Sequence, residues 1–272
     1  DTTLRWCNPR FVVTSDGVVF IDTPQLPTKA VAMRKEAEEN GPIRYLINTE
    51  HHVDHIFGNY YFKGVTVIAN KGVDDNFMVV GPDLDPFEYA KEAIPTDDPD
   101  GAAIFPDRDV YEADMNRPQI VFTDDAELRV GDHVFHLLHV AGHTPGQVAV
   151  YVPQERVVFT GDTIFSECQT WLMTSDVDGW LAALERIRTL DIDTIVPGHG
   201  PVQPKSYLDV QRSNLLDWVS AVAAAVAKGW SREETIERVN FEERYPVDIG
   251  QGYMMDHIQN LNAGSLWDKM SG

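Results

Sequence analysis

The chain has 272 residues, of which 43% are hydrophobic, and this is enough to bury a core without disulfide support. Its 22 Lys and Arg residues stand against 43 Asp and Glu residues, so the formal net charge at pH 7 is −21. Because this charge repels phosphate backbones and anionic lipids, we expect neither nucleic acid nor a membrane surface as a partner.

The first predicted elements alternate between strand and helix. Apolar runs at residues 11–14 and 18–21 flank Ser15, Asp16 and Gly17, a pattern typical of a β-hairpin. Residues 28–40 then form a predicted helix that ends at Gly41, and residues 43–48 return to a buried strand.

Residues 71–118 interrupt this alternation with several prolines among many aspartates. The segment is too long for an ordinary connection and is interpreted as an inserted surface loop, either variable in structure or a lid over a site. We expect one domain over residues 1–272, with this insertion and a helical C-terminal region at 205–272.

The remaining apolar runs continue the strand series. Strands are predicted at residues 65–69, 119–122, 134–140, 148–152, 156–159 and 194–196. Trp180, Leu184 and Ile187 share one face of a predicted helix, residues 207–228 form another, and Ser231 with Glu234 is a capping-box pattern for a third. Two strand-and-helix halves, packed sheet to sheet with helices outside, are therefore expected.

The two cysteines and the start of the chain give limited information on compartment. Cys7 and Cys168 form no CxxC pair, no apolar run is long enough to span a bilayer, and residues 1–10 lack signal-peptide features. We therefore expect a soluble cytoplasmic protein, with processed export left open because the chain starts at Asp1. The sequence does not determine whether the chain forms a homo-oligomer.

A dense set of metal-ligand residue types follows the strand at 43–48. Five residues of types that commonly bind metals lie within six positions, namely Glu50, His51, His52, Asp54 and His55. Alternate residues of a tight loop can face one ion while their neighbours face another. Glu50 and His52 can thus form one half-site, and Asp54 and His55 a second.

Three more residues of this kind, each next to glycine, follow other predicted strands. His143 lies in Ala-Gly-His-Thr-Pro-Gly, Asp162 in Thr-Gly-Asp-Thr and His199 in Pro-Gly-His-Gly. Strand ends in layered α/β folds meet at one edge, where glycine lets short loops present side chains to a common centre. The sequence therefore predicts a metal-dependent active site at this edge.

This set of motifs resembles the metallo-β-lactamase superfamily, in the expected order over most of residues 8–200. The resemblance implies an α+β fold, the four-layer αβ/βα sandwich, with two divalent metal ions that we expect to be zinc. Carried over residue by residue, His52 and His143 would bind the first ion, Asp162 would bridge both, and the second ion would be bound by Asp54, His55 and His199.

Glu50 departs from the family pattern, which has histidine at this position. A carboxylate is a harder ligand and adds negative charge, so manganese or iron competes better with zinc. Three outcomes stay open: Glu50 binds the first ion, His51 replaces it, or the first site is weak or empty.

The resemblance implies a binuclear metallo-hydrolase that uses a metal-bound hydroxide on a small ester, lactone, thioester or amide. Asp54 would orient the attacking water. The alternative is an iron-dependent oxidoreductase or dioxygenase on the same fold, motivated by Glu50, and a third hypothesis is a binding module with a degenerate site.

Several other side chains are given no catalytic role. His133, His136 and His139 are expected at partly exposed strand positions, and His51 behind the ligands or exposed. His257, in the C-terminal region, is expected at the surface, although that region could close over a pocket.

Overall fold

A computed structural model describes residues 7–79, 85–173, 175–244 and 255–271, and within these ranges eleven strands form two sheets. The first sheet has the order β1-β2-β3-β4-β5 and contains Arg10–Thr14 (β1), Gly17–Ile21 (β2), Ile43–Asn48 (β3), Thr66–Asn70 (β4) and Ile120–Phe122 (β5). The second has the order β11-β10-β9-β8-β7-β6 and contains Ala126–Val130 (β6), His133–His139 (β7), Val148–Val152 (β8), Val157–Phe159 (β9), Thr194–Val196 (β10) and Gln203–Pro204 (β11).

Helices surround the sheets and connect their strands. Those in the described ranges are Pro27–Asn40 (α1), Val53–Ile56 (α2), Lys71–Asp75 (α3), Pro86–Asp97 (α4), Arg108–Asp114 (α5), Val177–Arg188 (α6), Tyr207–Ala227 (α7), Arg232–Arg238 (α8) and Met255–Ser271 (α9). None of these helices is both long and apolar enough to cross a lipid bilayer.

The central core lies between the two sheets. Strand β2 is buried on both faces, and its side chains alternate: Val19 and Ile21 point towards the second sheet, where they meet Phe135, Leu137 and Val150. Each such aliphatic side chain contributes roughly 1.5–3 kcal/mol when fully buried. The sheets are therefore held together by a continuous apolar layer.

The outer face of each sheet is covered by helices. Val18 and Phe20 of β2 pack under α1, while Val158 and Ile195 of the second sheet pack against α6 and α7. The order of layers is helix, sheet, sheet, helix, which is the four-layer α+β sandwich expected from the sequence.

The strand directions place several loops at one edge of the sandwich. Strands β2 and β3 run parallel, as do β9 and β10, and β8 is antiparallel to β9. The loops after β3, β9 and β10 and the loop between β7 and β8 therefore meet there. A hydrogen bond of 2.8 Å from the Val148 amide to the Thr49 carbonyl joins the two sheets at this edge.

The segment at 71–118 differs from the expected loop, because it contains α3, α4 and α5. Phe87 and Ile94 of α4 and Tyr111 of α5 are buried against Phe57, which follows α2. Asp85 is the N-cap of α4, and its carboxylate accepts hydrogen bonds from two amides of the first turn. The prolines obscured this signal, although one of them occupies the first turn of a helix, where proline is tolerated.

Two strands were not predicted. Strand β6 carries charged residues at alternate positions, Glu127 and Arg129, and β11 has only two residues, so neither forms an apolar run. Both lie at the edges of the second sheet.

Candidate metal centre

All seven predicted ligand residues lie together at the loop edge, in two groups. We define the first ligand group as Glu50, His52, His143 and Asp162, and the second ligand group as Asp54, His55 and His199. In each group, one nitrogen or oxygen atom from every residue lies within 4.8 Å of the corresponding atoms of the others. The structure thus places residues from four loops close enough to bind common ions.

Asp162 lies between the two groups. Its Oδ1 is 3.2 Å from His55 Nε2, and its Oδ2 is 3.5 Å from His143 Nε2 and 3.4 Å from His199 Nε2. Gly198 is needed for this arrangement, because a Cβ at that position would collide with the Asp162 carboxylate. One carboxylate can therefore serve both groups.

Glu50 points into the site and is fully buried. Its Oε2 lies 2.7 Å from His52 Nδ1 and 3.8 Å from His143 Nε2, while its Oε1 lies 3.3 Å from His55 Nε2. The carboxylate thus lies among the imidazoles of His52, His55 and His143, and in the sequence it stands where the family pattern has histidine. Of the three outcomes left open by the sequence, this position favours Glu50 as a ligand.

His51 lies outside both ligand groups. It is buried, and its ring centroid is 4.7 Å from that of His52, so of the two positions expected from the sequence it has the one behind the ligands and not the exposed one. Burial and the neighbouring His52 lower the pKa of His51 to about 4, so the ring is neutral at pH 7.

Asp22, at the end of β2, orients a member of the second ligand group. Its Oδ2 is 2.9 Å from His55 Nδ1, and its carboxylate also accepts hydrogen bonds from the Thr49 amide (2.7 Å) and hydroxyl (2.6 Å). This contact directs His55 Nε2 towards the other ligands. The sequence analysis missed Asp22, although its place directly after a buried strand at the same edge was a usable signal.

His143 of the first ligand group is oriented differently, through the main chain. Its Nδ1 donates to the Trp171 carbonyl at 3.1 Å. Asn262 of α9 holds the two neighbouring residues, since its amide donates to the Thr170 carbonyl and accepts from the Leu172 amide, both at 2.7 Å. A helix near the end of the described chain therefore supports a ligand that lies more than a hundred positions earlier in the sequence.

The buried polar atoms of the centre that have no hydrogen bond in the described structure include Glu50 Oε1, His55 Nε2 and Asp162 Oδ1. The two carboxylate oxygens lie 3.3 Å and 3.2 Å from His55 Nε2, respectively. Burying such atoms without partners is costly, and a bound cation would satisfy them. Imidazole nitrogen and carboxylate oxygen are ligands for zinc, iron and manganese, so these residues fit a metal centre.

The charges of the centre favour cations. Burial opposes ionisation of Asp54, but His55 and His199 outweigh it and lower the pKa of the carboxyl to about 2. The pKa values of Glu50 and Asp162 are also lowered, because the nearby imidazoles overcome their burial. Conversely, Asp162 and Asp54 overcome burial and raise the pKa of His199 to about 10.

Asp54 and His52 mark the accessible side of the centre. Their side chains are 19% and 14% exposed, whereas His55 and Glu50 are fully buried. A substrate would therefore approach from the side of Asp54 and His52.

The remaining histidines and both cysteines lie outside the ligand groups. His133 contacts Asp132 and Glu155 on the second sheet, and His257 is exposed on α9. Cys168 is buried in the core beneath α6 and α7. Cys7 is also buried, with its Sγ 2.8 Å from the Asp54 carbonyl.

Several proteins of known name resemble the chain in sequence. It is 25% identical to a Caenorhabditis elegans β-lactamase-like protein 2 homolog (75% of this chain, 59% of the relative) and 28% identical to a Pelagibacter ubique hydroxyacylglutathione hydrolase (52% and 44%). A human acyl-coenzyme A thioesterase is 24% identical (69% and 68%). The chain thus spans only about half of the length of the first two relatives.

Solved structures share the fold. A sec-alkylsulfatase from Pseudomonas sp. superposes with a TM-score of 0.68 at 15% identity, over 98% of this chain and 48% of that one. A metallo-β-lactamase family protein from Thermus thermophilus gives a TM-score of 0.62 at 16% identity, over 97% and 89%.

The geometry of the centre and the comparisons point to the same protein family. The superfamily uses divalent metal ions, and two of the three relatives named above are hydrolases by name, as expected for two groups of metal-ligand side chains. The sequence-family model of the metallo-β-lactamase superfamily matches residues 7–199, which include all seven candidate ligands. The chain therefore belongs to this superfamily.

Proposed function

We propose that the chain is a binuclear metal-dependent hydrolase of small esters, lactones, thioesters or amides, with thioesters as the first class to test. The observation that carries the proposal is the position of Asp162 between the two ligand groups, together with buried ligand atoms that lack hydrogen bonds within the described ranges. The thioester preference rests on the names of the two hydrolase relatives.

In this proposal the first ligand group would hold one divalent ion and the second ligand group another, and the Asp162 carboxylate is close enough to contribute to both. Two such ions lower the pKa of a bound water and polarise the electrophilic oxygen of a substrate. Asp22 and the Trp171 carbonyl keep His55 and His143 in the orientation that binding requires.

Asp54 is the proposed catalytic residue. It is ionised at neutral pH, it is the most exposed of the seven side chains, and its Oδ2 lies 3.0 Å from His199 Nε2. A carboxylate in this position can accept a hydrogen bond from the attacking water and direct its lone pair towards the substrate.

The cysteines do not offer a competing nucleophile. Burial raises the pKa of both Cys7 and Cys168, so neither thiol forms a thiolate readily at neutral pH. Attack by water is therefore the mechanism that the centre supports.

A second candidate function is iron-dependent oxidoreductase or dioxygenase chemistry, and Glu50 is the observation that favours it. A buried carboxylate among imidazoles makes iron or manganese more competitive with zinc. Metal identity separates this candidate from the hydrolase.

The first experiment is elemental analysis of protein purified without chelator or added metal. The hydrolase proposal expects about two zinc or manganese ions per chain. Iron in quantity, together with oxygen consumption, would support the second candidate, and one ion or none would contradict the binuclear proposal.

The second experiment measures hydrolysis of acyl-glutathione, acyl-coenzyme A, aryl ester, lactone, β-lactam and alkyl sulfate substrates. Asp54→Asn should lower kcat by about 10²- to 10⁴-fold. Asp217→Asn is a matched control, because Asp217 pairs with Arg244 at the surface outside both ligand groups. Equal activity of the two variants would refute the role given to Asp54.

A further inference from the structure

The buried ring of Phe165 contacts one histidine from each ligand group. It lies parallel to the imidazole of His199, with the ring centroids 5.4 Å apart and an angle of 2° between the planes. It also meets the imidazole of His143 with the centroids 5.4 Å apart, but edge to face, at an angle of 70°. Both are arrangements that aromatic rings favour. The proposed hydrolysis assigns this side chain no role.

The ring of His199 has fewer hydrogen bonds to orient it than the other two histidines that have been described. Its Nε2 faces the carboxylates of the centre, whereas its Nδ1 is buried and has no hydrogen-bond partner among the described residues. His55 and His143, by contrast, are each held at Nδ1 by an oxygen atom. The torsion that rotates an imidazole about its Cβ–Cγ bond is only weakly restricted by itself. The parallel ring of Phe165 therefore limits the rotation of His199.

His143 has more support than His199. The indole ring of Trp180 contacts its imidazole edge to face, with the centroids 5.2 Å apart, and the Trp171 carbonyl accepts the hydrogen bond from its Nδ1. Phe165 is thus one of several groups that orient His143. We therefore expect His143 to depend on Phe165 less than His199 does.

The main chain of Phe165 is fixed relative to His199. Its amide donates to Gln211 Oε1 of α7 at 3.1 Å, and Gln211 Nε2 donates in turn to the Thr170 hydroxyl at 3.2 Å. Phe165 also forms an isolated parallel β-bridge with His199, and the Ser166 amide donates to the His199 carbonyl at 2.9 Å. The ring is therefore held against the two histidines by its own backbone contacts as well as by packing.

We propose that Phe165 is a positioning residue shared by the two ligand groups. Its ring fixes the imidazole planes of His143 and His199, and its removal weakens metal binding at both groups. Asp22 and Asn262, by comparison, each support the orientation of one histidine. That these histidines bind metal rests on the proposed function, whereas the orientation of their rings does not.

Phe165→Leu tests this role, because leucine keeps an apolar side chain at the buried position but has no ring plane. Competition with a chromophoric chelator measures the affinities for both ions, and each should fall by about 10- to 100-fold. Phe62→Leu is the matched control, since Phe62 is also fully buried and its ring contacts Phe20 and no ligand histidine among the described residues. The control should lower the melting temperature and leave both metal affinities unchanged.

The motion of the two rings is measured separately, by carbon-13 relaxation of the imidazoles in the metal-free protein. Relaxation is the required measurement, because removing a nearby aromatic ring changes chemical shifts whether or not the imidazoles move. In Phe165→Leu the rings of His143 and His199 should both become more mobile, and His199 by the larger amount. In Phe62→Leu both rings should relax as in the unchanged protein.

Unchanged ring motion in Phe165→Leu would overturn the proposal, and so would an effect on one histidine alone. Looser rings with unchanged affinities for both ions would overturn the link to metal binding. Phe165→Met, which has a flexible side chain without a ring, replaces the leucine variant if that variant fails to fold. Because ring motion is measured without metal, a protein that binds one ion or none would contradict the binuclear proposal and still leave this test decisive.

Discussion

The two ligand groups differ in what holds their histidines. In the second ligand group, His55 is oriented by Asp22, a charged acceptor on the neighbouring strand end. In the first ligand group, His143 is oriented by a neutral carbonyl, which depends in turn on Asn262 of α9. The first ligand group also has Glu50 where the family pattern has histidine. We therefore expect the first group to bind metal more weakly and to be more selective for metal type.

Among the changes that test this comparison of the two ligand groups, replacing Glu50 should have the largest effect. Glu50→Gln removes the charge from a proposed ligand, so we expect the loss of about one ion per chain and a fall in kcat/KM of more than about 100-fold. Glu50→His restores the family pattern and should retain both ions, with a higher proportion of zinc. Metal analysis of protein grown in mixed metals measures both effects. Two ions in Glu50→Gln would show that Glu50 is not a ligand.

Asp22→Asn should weaken metal binding by the second ligand group. Asparagine keeps the shape of the side chain and tolerates the positive φ of 56° at this position, but it lacks the negative charge that faces His55. We expect about 10- to 100-fold weaker binding of one metal ion, measured by competition with a chromophoric chelator. Selective loss of the ion held by the first ligand group instead would reverse the comparison.

Asn262→Ala should lower the metal affinity of the first ligand group by a smaller factor, about tenfold. The factor is smaller because Asn262 acts on His143 only indirectly, by holding the segment whose Trp171 carbonyl orients the ring. Ser265→Ala, on the same helix, is the control, since the Ser265 hydroxyl donates to the Asn262 carbonyl within α9. A merely structural role would lower the melting temperature without changing the ratio of the two metal affinities.

The smallest effect should be a pH dependence of protein stripped of metal. The pKa of His199 rises from 6.5 to about 10 on folding, so its contribution to stability is complete below pH 6.5 and is lost as the pH rises towards 10. Asp54 affects stability at acidic pH. Its pKa falls from 3.8 to about 2 on folding, so its contribution to stability is lost as the pH falls from 3.8 towards 2.

Thermal unfolding of the stripped protein between pH 6 and 10 measures the His199 effect. The melting temperature should fall across this range, and His199→Asn should flatten the decline. Metal affinity should rise over the same range, because a metal ion must displace the proton from His199. A melting temperature that increases above about pH 7 would contradict this assignment.

The sequence predicted the sandwich and the assembly of the seven ligand residues because both depend on local patterns. Apolar runs marked the strands, and polar residues next to glycine marked the loops that follow them. Asp22 was missed because a single aspartate after a strand is common and has no pattern of its own. Asn262 was missed because it lies 92 positions from Thr170, its hydrogen-bond partner, and no local signal joins them.

The error at residues 71–118 has a similar cause. The prolines of residues 71–118 suggested a loop, whereas Phe87, Ala90 and Ile94 lie three and four positions apart on the buried face of α4. By contrast, His51 was expected behind the ligands or exposed, and the structure places it behind them, buried against His52.

The contact between α9 and the segment around Trp171 shows that the residues that match the family are fewer than the residues that build the metal centre. Residues 7–199 match the superfamily and contain every candidate ligand, yet the side chain that fixes Thr170 and Leu172 comes from residue 262. A fragment or chimera built on the signature alone would inherit the ligands without the clamp on His143. The C-terminal helix should therefore be transferred together with the metal centre in any redesign, because Asn262 holds the residues on both sides of the carbonyl that orients His143.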